Sequence, residues 1–417
     1  MVESQRGQIQ VFTSAAVNYF PKVRLLCNSI KRYHPEFTVH LALADQVPDW
    51  LLLDEEPFDS VIRLEELGIP SLRSWIFRHS LIELCTAIKP FVLRYLLQTP
   101  ECGAVLYFDP DIVLFSRVDD LLQEFSHGSI LLTPHQTAPE KTLETIIDNE
   151  VCSLRHGIYN LGFIGIKNDR NGQTFVDWWC ERLYHFCLAD RERGFWVDQK
   201  WVDLAPALFE GVRIVRCARF NVAPWNITTR KLAGSWACGF TVEGQPLGFY
   251  HFTGFDSGDH EIMASKYGGD NPALKNLIQW YKQSIIADEK VSGMPWAFGT
   301  FENGEPIKPV QRVIYRLRKD LQDTYQDPFK VIENGHCYYN WFHWRAAIEH
   351  PELLGENGSK ADERLLPAGY RGKVNWVKIF RYISAAIRNP RHAAQLCRRT
   401  VAIFKREGLA GLKRRLS

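Results

Sequence analysis

The sequence lacks several features that would assign it to a class of protein at once. No window reaches the roughly 18 uninterrupted apolar residues that a membrane-spanning helix needs. The N-terminus has no positively charged region followed by an apolar stretch, and the 10 cysteines include no Cys-x-x-Cys pair. These absences predict a reduced protein in the cytoplasm.

Two phosphate-binding motifs are absent as well. The chain contains neither Gly-x-Gly-x-x-Gly nor the Gly-Lys-Thr of a phosphate-binding loop. Because such glycine-rich loops hold dinucleotides and nucleoside triphosphates, their absence argues against a Rossmann dehydrogenase and a P-loop enzyme. Internal repeats and low-complexity linkers are also absent.

The composition allows a large core and hides an uneven charge distribution. With 417 residues and 46% hydrophobic content, the chain has the length of two domains or of one large domain with an appendage. The formal net charge is +2, but residues 371–417 hold 13 Lys and Arg against one acid, Glu407. The first 370 residues therefore keep 37 of the 50 basic and 47 of the 48 acidic side chains, so the body is acidic and the tail basic.

The first 45 residues have the pattern of a βαβ unit. Apolar runs over residues 8–13 and 37–44 predict two strands, and Pro21 marks the start of a helix between them. Open parallel sheets bind ligands at the C-terminal ends of their strands. The candidate ligand contacts at these ends are Thr13, Ala15, Asn18, Tyr19 and Asp45.

Two carboxylates interrupt the apolar run over residues 105–115. Period-2 alternation in one continuous strand would place Asp109 and Asp111 on the same side, at the C-terminal end of a buried strand. Unpaired carboxylates there would repel each other and lose hydration, so a hard divalent cation such as Mn²⁺ or Mg²⁺ is the expected partner. A tight turn around Pro110 with aspartate caps is the alternative interpretation.

A family resemblance appears at this point of the chain. Thr86-Ala87-Ile88-Lys89, on a predicted helix over residues 81–97, is followed about 20 residues later by the hydrophobic strand with Asp-x-Asp. This arrangement resembles the nucleotide-sugar glycosyltransferases of the GT-A fold, particularly the retaining group called family eight. The resemblance implies an α/β fold with a mixed sheet flanked by helices, a donor contact at Lys89, and Mn²⁺ held by Asp109 and Asp111 against the donor diphosphate.

Three later segments extend the resemblance in the same order, so that it covers roughly residues 8–270. Residues 159–166 resemble the Asn-x-Gly strand, which implies that Asn160 and Gly162 lie at the donor sugar. Residues 196–199 resemble the Asp-Gln pair beside the reacting carbon, which implies catalytic roles for Asp198 and Gln199. Residues 249–254 resemble the segment that supplies a third metal ligand, here His251, with Gly254 at the donor.

Each of these residues also has a structural interpretation. His251 on an apolar strand is typical of a hydrogen-bonded core histidine, and an Asp-Gln pair is typical of a cap or a surface pair. Asn160 is typical of a turn whose backbone groups it satisfies.

The chain departs from the family pattern at two positions. Where the family has a lysine that grips the diphosphate, this chain has Ser257. Lys266 or His260 is a candidate substitute, and the metal with backbone amides alone is the other possibility. Lys200 replaces an acid that often follows the Asp-Gln pair.

Residues 219–230 form an aromatic and amide-rich loop between predicted strands. Sugars bind to aromatic faces and side-chain amides, so Trp225 and Asn226 are candidate acceptor contacts. Packing is the alternative role for Trp225, because the chain has 13 tryptophans.

Two rival functions stay open. The Asp-x-Asp strand also fits a phosphatase of the haloacid dehalogenase type, which needs a downstream Gly-Asp with a further acid; Gly258-Asp259-His260-Glu261 matches this poorly. The other rival is a non-catalytic sugar or nucleotide binder on the same fold.

The predicted organisation has three parts. Residues 1–290 form the GT-A domain, residues 291–370 a helical subdomain, and residues 371–417 a basic amphipathic tail. The subdomain contains a packed aromatic cluster of Tyr338, Tyr339, Trp341, Phe342 and Trp344.

The predicted function is sugar transfer, with retention of configuration, from a nucleotide sugar to a glycan or lipid-linked glycan, in the synthesis of lipopolysaccharide or another bacterial surface polysaccharide. A UDP-sugar is the favoured donor. Two basic amphipathic stretches, residues 374–387 and 390–406, predict peripheral contact with the anionic inner face of the membrane, while packing on the acidic body is the alternative. Nucleic acid is not expected as a partner, because no recognition fold accompanies the charge.

Overall fold

The computed structural model describes residues 7–285, 290–291 and 294–354. The basic tail over residues 371–417 lies outside the described residues. The strands in this part of the chain are β1 (Gln8–Ala15), β2 (Thr38–Leu43), β3 (Ser60–Ile62), β4 (Cys102–Phe108), β5 (Ile112–Leu114), β6 (Ile130–Pro134), β7 (Tyr159–Lys167), β8 (Val212–Ile214), β9 (Leu232–Ser235), β10 (Gly239–Val242), β11 (Gln245–Pro246) and β12 (Phe249–His251).

Seven strands form one mixed sheet in the order β3-β2-β1-β4-β7-β6-β8. Strands β3, β2, β1 and β4 pair in parallel, whereas β7 is antiparallel to both of its neighbours, β4 and β6. The short strand β5 leaves this sheet and pairs antiparallel with β12, and β9, β10 and β11 form a separate antiparallel sheet. The predicted α/β class with a mixed sheet is confirmed.

Helices cover both faces of the main sheet. They are α1 (Phe20–Tyr33), α2 (Leu72–Phe77), α3 (Leu81–Ala87), α4 (Lys89–Leu97), α5 (Asp119–Gln123), α6 (Leu143–Thr145), α7 (Cys152–His156), α8 (Arg170–Phe186), α9 (Gln199–Val202), α10 (Ala205–Leu208), α11 (Asp259–Gly268), α12 (Pro272–Ser284), α13 (Pro309–Leu317), α14 (Lys319–Thr324), α15 (Tyr338–Trp341), α16 (Ala347–Glu349) and α17 (Pro351–Leu354). No helix among the described residues is long and apolar enough to span a bilayer.

Side chains of the central strands alternate between two hydrophobic cores, as period-2 geometry requires. Val105 and Tyr107 of β4 face one core, and Leu106 and Phe108 face the other. All four are at most 1% exposed. A strand that is apolar on both faces has to be covered on both, which explains the helices on either side of the sheet.

Residues beyond 296 pack into the same core as helices α2 and α4. Phe298, Tyr315 and Tyr338 belong to one hydrophobic cluster with Phe77 and Phe91. In the predicted aromatic cluster, Tyr338 is fully buried, Tyr339, Trp341 and Phe342 pack against the core, and Trp344 is 60% exposed. Side chains on both sides of residue 290 share this core, and the division of the chain at that residue stays a prediction.

Two predicted elements are divided in the structure. The helix expected over residues 81–97 is broken at Ile88 into α3 and α4, since Pro90 has no N–H for the helical hydrogen bond to Thr86. The strand expected over residues 105–115 ends at Phe108 and restarts at Ile112.

Candidate functional site

A tight turn, not a continuous strand, brings the two aspartates together. The Ile112 N–H donates to the Asp109 carbonyl at 3.0 Å, which closes a four-residue turn with Pro110 in its second position. The prediction that strand alternation places both carboxylates on one side was therefore wrong, because Pro110 ends the strand. The aspartate-rich turn and the paired carboxylates, which the sequence offered as alternatives, occur together.

Strand pairing places a histidine against this turn. Strand β12 runs antiparallel to β5 with His251 opposite Ile112, and the Phe252 N–H donates to the Asp111 carbonyl at 2.8 Å. His251 Nε2 lies 3.0 Å from Asp111 Oδ1 and 3.7 Å from Asp109 Oδ2.

These three residues have the donor set of a site for a divalent cation. One ligand atom of each lies within 4.8 Å of the other two, the spacing of groups around a single ion. Two carboxylate oxygens and an imidazole nitrogen suit Mn²⁺, and a set of only three protein ligands leaves coordination positions for substrate oxygens.

The charges of the three residues are coupled. Burial works against protonation of His251, but Asp111 and then Asp109 outweigh burial and raise the pKa of the imidazole. Burial would raise the pKa of Asp111, but His251, and more weakly Lys22, hold it below its ordinary value. The proton on His251 Nε2 thus provides positive charge at the place where a bound divalent cation would provide it.

Asn160 fixes the orientation of the His251 ring. Its Oδ1 accepts hydrogen bonds from the Gly162 N–H at 3.1 Å, Asn221 Nδ2 at 3.0 Å and His251 Nδ1 at 3.1 Å. Because an amide oxygen accepts only, His251 must carry a proton on Nδ1, which leaves Nε2 as the nitrogen that faces the carboxylates and that would bind a cation after losing its proton.

Gly162 leaves the room that this ring needs. A Cβ atom at position 162 would lie 2.4 Å from His251 Cε1 and 2.8 Å from Asn160 Oδ1. The Asn-x-Gly pattern of β7 is thus explained by the packing of His251.

Lys89 is enclosed by three acceptors. Its Nζ lies 2.8 Å from Asp198 Oδ2, 3.3 Å from Asp109 Oδ1 and 3.0 Å from the Leu161 carbonyl. Burial would lower the pKa of Lys89, but Asp109 and Asp198 raise it, so the side chain is a cation. Two of these contacts are hydrogen bonds and the contact with Asp198 is an ion pair, so a donor contact by Lys89 would compete with all three. Tyr107 donates its hydroxyl to Asp109 Oδ1 from the same side.

A cleft of about 180 Å³ opens beside the turn, at the C-terminal ends of β1 and β4. Four of the predicted donor contacts line it: Ala15, Asn18, Tyr19 and Asp109. Asp111 also lines it, as do residues that the sequence reasoning did not single out, namely Ser14, Ala16, Leu81, Ile82, Cys85, Tyr107 and Pro110.

Other predicted contacts lie outside the cleft lining. Thr13 is 1% exposed within β1. Gly254 has a φ of +68° and accepts the His260 N–H at 3.1 Å. Gln199 is 8% exposed, and its amide bridges the Leu161 N–H at 2.9 Å and the His156 carbonyl at 3.0 Å. Gln199 therefore joins β7 to the end of α7, and a direct catalytic contact stays a prediction.

The two predicted acceptor contacts differ from each other. Asn226 is fully buried, and its amide bonds to the Ala223 N–H and to the carbonyls of His135 and Asn221. Its amide holds the loop together in this structure, and its acceptor role stays a prediction. The Trp225 ring lies 5.4 Å from the His251 ring, next to the site, and its acceptor role stays a prediction.

Both side chains proposed to replace the missing lysine at Ser257 already have partners in this structure. Lys266 forms ion pairs with Asp148 at 2.6 Å and Glu144 at 2.8 Å. Both nitrogens of His260 have partners, and burial lowers its pKa to about 4, so it is neutral near pH 7. Asp259, the acid that a phosphatase would need, accepts a hydrogen bond from Ser257 and does not belong to the metal-ligand group.

A second group with metal-ligand spacing, His34, Glu36 and Asp119, is already neutralised. Arg117 donates to both carboxylates, and His34 Nε2 accepts the Val118 N–H at 2.9 Å. With that nitrogen in use, the group has no free imidazole ligand.

Several residues near the site could not be predicted, because they are distant in the sequence and come together only in the folded chain. Lys22 and Asp256 are 234 positions apart and pair at 2.5 Å. Asn221 reaches Asn160 across 61 positions. No local pattern marks such pairs, although the positive φ of Asn221, 53°, fits an asparagine in the left-handed region.

Comparison with known proteins gives similarities of limited extent. No protein-family model matches the chain. YfnD of Bacillus subtilis strain 168, described as an uncharacterized protein, is 28% identical over 239 residues, which cover 56% of this chain and 74% of YfnD. YfnF of the same organism, also described as uncharacterized, is 30% identical over 176 residues, 42% of this chain and 57% of YfnF, less than two thirds of that protein.

Among solved structures, the galactosyltransferase LgtC in complex with donor and acceptor sugar analogs is similar with a TM-score of 0.42 and 13% identity, over 68% of this chain and 99% of LgtC. The glycosyltransferase GlyE of Streptococcus pneumoniae TIGR4 is similar with a TM-score of 0.38 and 14% identity, over 68% of this chain and 66% of GlyE. The function of the chain therefore has to be inferred from its own site.

Proposed function

We propose that the protein is a GT-A glycosyltransferase that uses a divalent cation, Mn²⁺ or Mg²⁺, to transfer a sugar from a nucleotide-sugar donor, with UDP-sugars favoured. The observation that supports this most directly is the convergence of Asp109, Asp111 and His251 beside a cleft that both aspartates line. Their oxygen and nitrogen donors fit such an ion, and Gly162 and Asn160 hold the imidazole toward the carboxylates.

Breaking a bond between a sugar and a phosphate develops negative charge on the departing nucleoside diphosphate. A bound cation would stabilise that charge, and Asp109, Asp111 and His251 would hold it. The remaining residues position the site: Lys89 and Tyr107 fix the Oδ1 of Asp109, which leaves Oδ2 for the ion. Asp198, ion-paired with Lys89, lies at the inner end of this network.

Metal-dependent donor binding is the first prediction. Thermal-shift measurements against UDP, GDP, CMP and dTDP sugars, with and without Mn²⁺, should show stabilisation by at least one sugar nucleotide only when the metal is present. Asp109→Asn and Asp111→Asn should abolish the metal-dependent shift, because an amide is a weaker ligand than a carboxylate.

The matched control is Asp119→Asn, which removes a carboxylate from the group that Arg117 neutralises and should leave the shift unchanged. Donor binding that persists in the double variant Asp109→Asn/Asp111→Asn, or in excess chelator, would contradict the proposal. Release of phosphate from a generic phosphoester, lost on Asp109→Asn, would indicate the phosphatase instead.

The finer parts of the proposal concern stereochemistry and acceptor. We propose transfer with retention of configuration, which proton NMR of the new linkage would test; an inverted product would contradict it. The proposed acceptor is a glycan or lipid-linked glycan of a bacterial surface polysaccharide, with Trp225 beside the site as its contact.

A further inference from the structure

The charges at the proposed site do not balance once a donor is bound. Two carboxylates and one divalent cation sum to zero, so the charge of a bound diphosphate requires a further cation. Lys89 is the nearest lysine to Asp109, but Asp198 already neutralises it, and Asp109 and the Leu161 carbonyl accept its hydrogen bonds. Lys266 pairs with acids of the segment over residues 144–148.

Lys22 is a buried cation that lies against Tyr19, a residue of the cleft lining. Its side chain is 8% exposed, on the first turn of α1, and its Nζ lies 4.5 Å from the ring centroid of Tyr19, which lines the cleft together with Asp111. The ammonium therefore lies next to the cleft that Asp111 lines, and its ion pair in this structure is with Asp256.

The partner of Lys22 is a carboxylate that can leave. Asp256 Oδ2 lies 2.5 Å from Lys22 Nζ and accepts the Tyr19 hydroxyl at 2.8 Å. The Asp256 side chain is 58% exposed, whereas that of Lys22 is 8% exposed. Because water already reaches Asp256, releasing it costs little hydration free energy, whereas Lys22 needs an anion as long as it is buried.

We propose that Lys22 binds the diphosphate of the donor, and that Asp256 holds Lys22 until the diphosphate takes its place. The inference rests on the proposed function, since it assigns a residue to the phosphate part of that site. The bound diphosphate accepts hydrogen bonds from Lys22 and Tyr19, and Asp256 turns to water. This exchange lets the chain carry Ser257 where the resembling family has a lysine.

Two substitutions with opposite expected effects test the exchange. Lys22→Met should weaken binding of UDP in the presence of Mn²⁺ by roughly 10- to 100-fold, the value of a lost charge-assisted hydrogen bond. Asp256→Asn should strengthen it by a few-fold, because it removes the competing charge. Isothermal titration calorimetry gives both values, with GDP, CDP and dTDP titrated in parallel, and circular dichroism reports the fold.

The matched control is a second ion pair of the same helix. Lys31 Nζ and Asp59 Oδ2 pair at 2.6 Å, and they bond to the Phe37 carbonyl and the Val39 N–H, which lie outside the cleft lining. Lys31→Met and Asp59→Asn should leave nucleotide affinity unchanged. Lys22→Arg should keep part of the affinity, and it provides a folded variant if Lys22→Met does not fold.

The outcomes separate the two levels of the proposal. If the unmodified protein binds none of the four nucleotides with Mn²⁺, the proposed function is wrong. If it binds UDP and Lys22→Met binds equally well, the assignment of Lys22 is wrong while the function stands. Equal weakening by Lys22→Met and Asp256→Asn would show that the pair only braces the fold, which also overturns the inference.

Discussion

A single amide oxygen organises the candidate metal site. Asn160 Oδ1 accepts three hydrogen bonds, and the one from His251 Nδ1 determines which ring nitrogen faces Asp109 and Asp111. Groups that orient a metal-bound histidine through its second nitrogen contribute strongly to metal affinity. Asn160 is thus a positioning residue for His251, a role different from the donor-sugar contact that the family resemblance implies.

We predict that Asn160→Leu lowers Mn²⁺ affinity by roughly 10- to 100-fold, because His251 loses the acceptor for its Nδ1 proton. Asn160→Asp, which keeps an oxygen at that point, should retain most of the affinity. Mn²⁺ titration followed by electron paramagnetic resonance measures the affinity. The ¹⁵N chemical shifts of the His251 ring, measured in the metal-free protein above the pKa of the imidazole, report the tautomer directly.

His135→Leu is the control for this test, because His135 contacts the Nδ2 end of Asn160, at 3.2 Å, and not the oxygen. It should affect metal affinity much less than Asn160→Leu. An unchanged tautomer in Asn160→Leu would show that His251 is oriented by something else.

At the residue scale, the sequence identified the chemistry better than the orientation. Asp109, Asp111 and His251 were predicted as one group, and their ligand atoms do meet. Residue type alone could not show that the Asn226 amide forms hydrogen bonds with backbone groups of its own loop. Nor could it show that Lys22 and Asp256 meet, because 234 positions separate them.

At the scale of elements, the sequence predicted types more reliably than boundaries. The first strand, helix and strand lie where their apolar periodicity indicated, with α1 ending at Tyr33, before His34-Pro35. The two divided elements each contain a proline, Pro90 and Pro110, whose missing N–H the apolar pattern does not register.

Helix α3 shows how one element connects the cleft to the C-terminal segment. Glu83 caps the helix by accepting the Ser80 N–H at 2.9 Å, and it pairs with Arg316 of α13 at 2.6 Å. The same helix carries Cys85 and Thr86 into the cleft lining. A buried ion pair thus ties the C-terminal helices to a wall of the proposed donor site.

This pair predicts a component of stability that depends on acid. Burial would raise the pKa of Glu83, but Arg316 lowers it to about 2, below the ordinary 4.5. A lowered folded-state pKa stabilises the fold above pH 4.5, and this stabilisation is lost as the pH falls from 4.5 towards 2. The pKa difference corresponds to a contribution on the order of 3 kcal/mol at neutral pH.

We therefore expect Glu83→Gln to lower the free energy of unfolding at pH 7 by about 3–5 kcal/mol, since it leaves Arg316 buried without a counter-charge. The variant should also lose less stability than the unmodified protein between pH 5 and about pH 3. In this range Glu83 of the unfolded chain takes up a proton, whereas Glu83 of the folded protein is still largely ionised. Urea denaturation across this range measures both effects. Asp320→Asn, which breaks the exposed pair with Arg318, is the control and should cost about 0–1 kcal/mol.

At the scale of the whole molecule, the first 370 residues carry an excess of acidic side chains, and buried arginines attach helix α13 to the rest of the fold. The buried arginines at positions 312 and 316 donate to carbonyls of Phe77, His79 and Arg78, so residues 309–317 are held by backbone groups as well as by Glu83. The sequence predicted a helical C-terminal region packed against the catalytic domain, but not these hydrogen bonds, because side-chain bonds to backbone carbonyls leave no pattern in the sequence.

The basic tail leads to the last prediction. Residues 371–417 carry 13 Lys and Arg against one acid, interspersed with apolar residues such as Val377, Phe380, Leu396 and Phe404. If the acceptor is lipid-linked, attraction of this segment to anionic lipid would bring the active site to its substrate, with each well-placed cation contributing on the order of 1 kcal/mol.

We expect the full chain to float with anionic liposomes at low salt, and a chain that ends at Ala368 to float much less. Raising the salt should release the full chain, because the attraction is electrostatic. Neutral liposomes are the control for apolar binding alone. Equal flotation of the two chains, or none by either at low salt, would place the tail on the acidic body instead of the membrane.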